Sequence, residues 1–211
     1  MQVYSTRNHQ QIVSLKEAVV RGLAEDGGLY MPLHIPILSP DFIKNLSKLS
    51  QTELFYAIAQ NIIGDTMPPQ TLHDIIEEVF NFDLPVVHLH DAMYSLELFH
   101  GPTLAFKDVG ARFMSRLLAY FYRNENQTLQ VVVATSGDTG SAVAAGFYEV
   151  PGIQVFILYP KGKVSYLQEK QLTTWGKNIT AIEVEGTFDD CQVLVKQLLS
   201  DTELNAKLKI T

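Results

Sequence analysis

Residues 129–163 read LQVVVATSGDTGSAVAAGFYEVPGIQVFILYPKGK, and the order of these residues decides the fold. Leu129–Ala134 is a continuous apolar run of strand length, followed by six small or polar residues, Thr135–Gly140. Thr139–Val150 then carries apolar residues at helical spacing, and Ile153–Tyr159 is a second apolar run. The alternation continues with a helix over Ser165–Trp175, a strand over Ile179–Val184 and a helix over Phe188–Leu199. Thr187 and Asp190 have the spacing of a capping box at the start of that last helix. Continuous apolar strands alternating with helices predict an α/β fold with an open parallel sheet covered on both faces.

Upstream of this unit, the stretch Leu104–Arg123 predicts a helix, with Phe113, Leu117 and Phe121 four apart, and Val86–Leu89 a short strand. Residues 1–85 read as mainly helical. Ile12, Leu15, Val19, Val20 and Leu23 share a helical stripe that stops at Asp26-Gly27-Gly28. Ser39-Pro40 opens a second helix, a third runs from Thr52 to Gly64, and a fourth follows Pro68-Pro69 with Leu72, Ile75, Ile76 and Val79. The chain therefore divides into 1–85, 86–128 and 129–211. Leu208–Thr211 looks like the start of a further strand, so the expectation is a truncated chain.

Composition narrows the function. Of 211 residues, 16 are Lys or Arg and 23 Asp or Glu, a formal charge of −7 that argues against nucleic acid as a partner. A single cysteine, Cys191, excludes an internal disulfide and a cysteine-rich metal site, and fits a reducing compartment. The polar N-terminus lacks the apolar core of a signal peptide, and no run approaches the length of a membrane helix. A cytoplasmic location is the expectation.

Four stretches have the residue types for chemistry. Thr135-Ser136-Gly137-Asp138-Thr139-Gly140 lies between a buried strand and a helix, where open α/β sheets bind ligands. Its glycines let the backbone approach a ligand, and the helix start favours an anion. The spacing is neither G-x-G-x-x-G nor a P-loop, so dinucleotide and nucleotide sites fail. His100-Gly101-Pro102-Thr103-Leu104-Ala105-Phe106-Lys107-Asp108 puts a lysine at a helix start. Such an amine is either solvated or, if desolvated, a nucleophile. His88 and His90 share a strand face as half a metal site would, but more ligands are needed, and packed or surface histidines are the simpler reading. Lys161 and Lys163, with Ser165, form a second strand-to-helix loop, either a phosphate site or a solvated basic turn. No metal is expected. Cys191 lies on an apolar helix face, as a packed thiol would.

Taken together, these segments resemble the threonine synthase family of pyridoxal-phosphate (PLP) enzymes. LELFHGPTLAFKD (96–108) is similar to the family's cofactor-lysine segment, and ATSGDTGSAVA (134–144) to its substrate-carboxylate loop. ILYPKGKVSYLQEKQ (157–171), GTFDDCQVLVKQ (186–197) and EAVVRGLAEDGGLYMP (17–32) are also family-like, so the resemblance covers essentially the whole chain.

The resemblance implies the tryptophan-synthase-β-like fold, with PLP held between two α/β domains. It implies that 86–128 belongs to the larger domain and 129–211 to the smaller. It makes Lys107 the catalytic lysine that holds the cofactor, with Phe106 beside it and Asp138 next to the cofactor's 3-oxygen, where most cousins on the same fold carry Asn. Thr135, Ser136, Gly137, Thr139 and Gly140 are implied to clamp the substrate carboxylate, and Lys163 and Lys161 to meet the leaving phosphate. The implied reaction, a lyase step of threonine biosynthesis, takes O-phosphohomoserine and water to threonine and phosphate, with no protein partner required. The family chain is about twice this long, and its later glycine-rich loop for the PLP phosphate and its hydroxyl facing the ring nitrogen are not among these residues. The expectation is therefore an incomplete, inactive part whose Phe113, Leu117 and Phe121 are partly exposed. The alternatives are another PLP eliminase, such as a serine or threonine dehydratase, and a non-catalytic binding fragment.

Overall fold

The computed structural model describes residues 1–211, which fall into two compact units, Met1–Asn81 and Phe82–Thr211. In the first unit, strands β1 (Gln2–Ser5), β2 (Ile12–Ser14) and β3 (Tyr30–Pro32) form an antiparallel sheet in the order β2-β1-β3. This corrects the helix expected to begin at Ile12. Val13 pairs with Val3 across the sheet, and helix α1 (Leu15–Arg21) starts only after Ser14, whose side chain accepts from the Glu17 amide. A three-residue strand has too little local pattern to outweigh a helical stripe. It forms because a partner strand supplies the hydrogen bonds.

Helices α2 (Pro40–Asn45), α3 (Gln51–Ile63) and α4 (Pro69–Val79) follow the predicted signals. Ser39 and Ser50 cap α2 and α3, and prolines occupy first-turn positions of α2 and α4. The stripe Leu72, Ile75, Ile76 and Val79 is buried.

The second unit opens with an antiparallel hairpin, β4 (Val86–His90) and β5 (Met93–Leu96), turning at Asp91 with φ +49°. Helix α5 (Lys107–Tyr122) begins three residues later than its apolar pattern suggests. Leu104 sits at φ +59°, a left-handed conformation incompatible with a helix, and 101–106 is a turn. Leu117 and Phe121 are buried and Phe113 is half-buried, so the partial exposure expected for that face is overturned for Leu117 and Phe121.

Then follow β6 (Leu129–Ala134), α6 (Asp138–Phe147), β7 (Ile153–Pro160), α7 (Tyr166–Thr173), β8 (Ile179–Val184), α8 (Phe188–Ser200) and α9 (Thr202–Leu208). β6, β7 and β8 pair in parallel in that order. The capping box predicted at Thr187 and Asp190 is present, whereas α9, capped by Asp201, was not foreseen. After α9 the chain returns to the free side of β6, where Ile210 bridges Gln130 in parallel. Strand order thus reverses at β6. A right-handed crossover places α6 and α7 on one face and, after the reversal, α8 on the other. The crevice at the carboxyl end of β6 is the topological switch point, the usual ligand position in such sheets.

Asn178 splices this sheet together from the opposite edge. Its Nδ2 donates to the carbonyls of Phe147 (2.9 Å) and Ile153 (3.1 Å), and its Oδ1 accepts from the Glu149 amide (2.8 Å). Asn178→Ala leaves these buried groups unpaired and is expected to cost about 2–4 kcal/mol, at about 1 kcal/mol per bond, read as a lower denaturation midpoint with an unchanged slope.

Candidate active site

Three helix starts meet beside the carboxyl ends of β6 and β7. The first is the β6–α6 loop. Thr135 continues the ladder through its amide to the Leu158 carbonyl and is 1% exposed. Its Oγ1 accepts from the amides of Gly137 (3.0 Å) and Gly140 (2.8 Å), so the hydroxyl serves the loop itself. Gly137 has φ +144°, which side chains disfavour, and this turn brings Ser136, Asp138 and Thr139 to the surface. A β-carbon on Gly140 would lie 2.4 Å from Thr135 Cγ2, so Gly140 allows α6 to sit against the loop. The first amides of a helix lack intrahelical acceptors. With Gly140 served by Thr135, the Asp138 and Thr139 amides and the Ser136 hydroxyl remain for an anion.

The second start is that of α5. Asp108 is fully buried, and its carboxylate accepts from Thr103 N (2.8 Å) and Thr103 Oγ1 (2.6 Å). A β-carbon on Gly101 would lie 2.6 Å from Asp108 Oδ2, so the turn closes onto the carboxylate only with glycine there. This lock orients Lys107, whose Nζ lies 4.6 Å from the Phe106 ring centre and 4.0 Å from Asp138 Oδ2. The lysine side chain is 32% exposed, neither solvated freely nor sealed. The structure thus brings Lys107, Phe106 and Asp138 together.

The third start is that of α7, where Ser165 and Gln168 form a capping box and Gln168 Nε2 donates to Asp138 Oδ1 at 2.8 Å. Lys161 Nζ pairs with Glu185 at 3.0 Å on the surface. Lys163 is exposed and near Asp190, whose carboxyl is held below the usual range by the Thr187 amide and hydroxyl, and less by Lys163. The histidines lie elsewhere and are exposed. His88 Nε2 meets the Asp91 carbonyl (2.9 Å), a bulge separates His88 from His90, and no three His, Cys, Asp or Glu residues gather.

Sequence reasoning missed Asp108 and Gln168. For Gln168 a signal exists, since Ser165-x-x-Gln168 is a capping box. For Asp108 the signal is only its place beside Lys107.

A primary amine beside an aromatic ring and a carboxylate, at a strand switch point with an adjacent anion loop, has the chemistry that fits the aldehyde end of PLP. Comparison with known proteins agrees. Residues 87–206 match the family model for pyridoxal-phosphate dependent enzymes, and residues 2–80 that for the threonine synthase N terminus. The chain belongs to the pyridoxal-phosphate-dependent enzyme family.

Several individual relatives are threonine synthases. The Escherichia coli threonine synthase is 42% identical over 208 residues, which cover 99% of this chain and 48% of that protein. Its crystal structure superposes with a TM-score of 0.90 at 41% identity, covering 100% of this chain and 49% of the other. The PLP-bound threonine synthase from Brucella melitensis gives a TM-score of 0.92 at 35% identity, covering 100% of this chain and 47% of the other. This chain spans about half the length of the curated relatives it matches. No helix is long and apolar enough to cross a membrane.

The two loop hydroxyls should separate in experiment. Thr135→Val removes the acceptor for two buried amides at nearly constant volume and is expected to cost about 1–3 kcal/mol in denaturant unfolding. Ser136→Ala, on the surface, is expected to stay within about 0.5 kcal/mol of wild type.

Proposed function

We propose that this chain carries the cofactor-lysine and carboxylate-binding part of a threonine synthase, which converts O-phosphohomoserine and water to threonine and phosphate. The observation that carries the reading is the approach of Lys107 to Asp138 beside the anion-ready start of α6. The match of residues 2–80 to the threonine synthase N terminus supports this reading over other PLP eliminases. We further propose that 86–128 belongs to the larger PLP domain and 129–211 to the smaller one, and that the protein works in the cytoplasm without a required protein partner.

When bound, PLP supplies the electron sink that stabilises negative charge at the substrate's reacting carbons. The chain's own residues supply position and protons. Lys107 would hold the cofactor aldehyde through its amine, which lies beside the Phe106 ring. As a free, neutral amine, Lys107 would take or return a proton at the substrate carbons. Asp138 would stand beside the cofactor's 3-oxygen, where a carboxylate pairs only through a shared proton. The substrate carboxylate sits on the Ser136 hydroxyl and the Asp138 and Thr139 amides. Gly137 and Gly140 shape that loop, while Thr135 braces it from below rather than touching substrate. Lys163 meets the leaving phosphate. Lys161, paired with Glu185, takes a lesser part, although an exposed pair of this kind is weak enough to exchange.

The decisive experiment is borohydride treatment with PLP followed by peptide mapping. The fixed adduct is expected on Lys107 and is lost in Lys107→Ala with the fold unchanged by circular dichroism. An adduct confined to Lys161 or Lys163 would refute the assignment.

A further inference from the structure

Gln168 reaches both ways. It is the third residue of α7, and its Oε1 accepts from Ser165 N (3.1 Å) and Ser165 Oγ (3.0 Å). Its Nε2 donates to Asp138 Oδ1 at 2.8 Å. The orientation of the amide is therefore determined. Turned over, Nε2 would face the Ser165 amide, donor against donor, and Oε1 would face a carboxylate, acceptor against acceptor. The loop leaves room for this reach, since a β-carbon on Gly137 would lie 2.4 Å from Gln168 Nε2.

We propose that Gln168 is a positioning residue that holds Asp138 as an acceptor aimed at Lys107. This rests on the reading of Lys107 as the cofactor lysine. An amino group of an amide can only donate, so its partner must accept. Asp138 accepts with Oδ1, which leaves Oδ2 facing the Lys107 amine at 4.0 Å. An asparagine at position 138 would accept with its oxygen and turn its own amino group toward Lys107, donor against donor. The donor on α7 thus specifies a carboxylate on α6, and that carboxylate orients the amine on α5. This gives a physical reason for Asp rather than Asn at position 138.

The test separates this role from helix capping. Gln168→Glu keeps an oxygen for Ser165, since Glu is the usual third residue of a capping box, but replaces the donor with a carboxylate facing Asp138. In solution NMR of the full chain without cofactor, wild type is expected to show one χ1 rotamer at Asp138 and a restricted Lys107 ammonium signal. In Gln168→Glu the rotamer averages and the ammonium signal is lost, while the melting midpoint holds. Asp138→Asn alone also loses the ammonium signal. Combining Gln168→Glu with Asp138→Asn restores both features, because the asparagine now donates to the glutamate and presents its oxygen to Lys107. Gln168→Leu, which removes both contacts, is expected to lose the signal and lower the midpoint.

An averaged Asp138 in wild type, signals unchanged in Gln168→Glu, or no restoration in the double variant would each overturn the proposal. These signals are read without PLP. They therefore decide the positioning separately from the identity of Lys107, which the borohydride-fixed adduct decides.

Discussion

A β-carbon on Gly146 would lie 3.1 Å from the carbonyl carbon of Ala111 and 3.2 Å from its oxygen. Helices α5 and α6 therefore meet backbone to backbone, and the rest of the site depends on that closeness. Arg116 reinforces the contact by donating to the Gly146 carbonyl (2.8 Å) and to Ser115 Oγ (3.0 Å), and Ser115 is itself fully buried. Both helices begin beside the carboxyl end of β6, so their packing sets how far apart their first residues stand. Those residues are Lys107 and Asp138. A bulkier side chain at position 146 would part the helices along their length and separate amine from carboxylate without touching either.

Much of the second unit is legible in the sequence because its strands are short, continuous and apolar. β6 and β8 occupy the predicted residues, although β8, at the sheet edge, is buried only at Ile179 and half-buried or exposed beyond it. The failures have a common cause. Ile12–Ser14 joins a strand because β1 pairs with it, and α5 starts late because the Asp108 carboxylate draws the preceding turn inward. In each case a partner distant in sequence or a buried polar group outweighs the local apolar pattern.

The site divides along the same line. Which residues are chemically able is written in the chain, and Lys107, Phe106 and the 135–140 loop come together in space. What each hydroxyl does is not written there. Thr135 and Ser136 are neighbours of similar chemistry, yet one is sealed beneath the loop and the other faces outward. Thr135 is held in by its ladder bond to Leu158 and by the Gly137 and Gly140 amides on its hydroxyl, contacts that no local pattern announces. Gln168 lies thirty positions from its partner Asp138, beyond the reach of any local pattern.

The single thiol has a use that chemistry at the site does not suggest. Cys191 is 0% exposed on α8, and burial pushes its thiol up, away from the reactive thiolate. A thiol reagent meets it only in the intervals when α8 lifts from the sheet, so its labelling rate counts those intervals. The chain carries its own clock for the loosening of one face of the sheet, with no other cysteine to blur the reading.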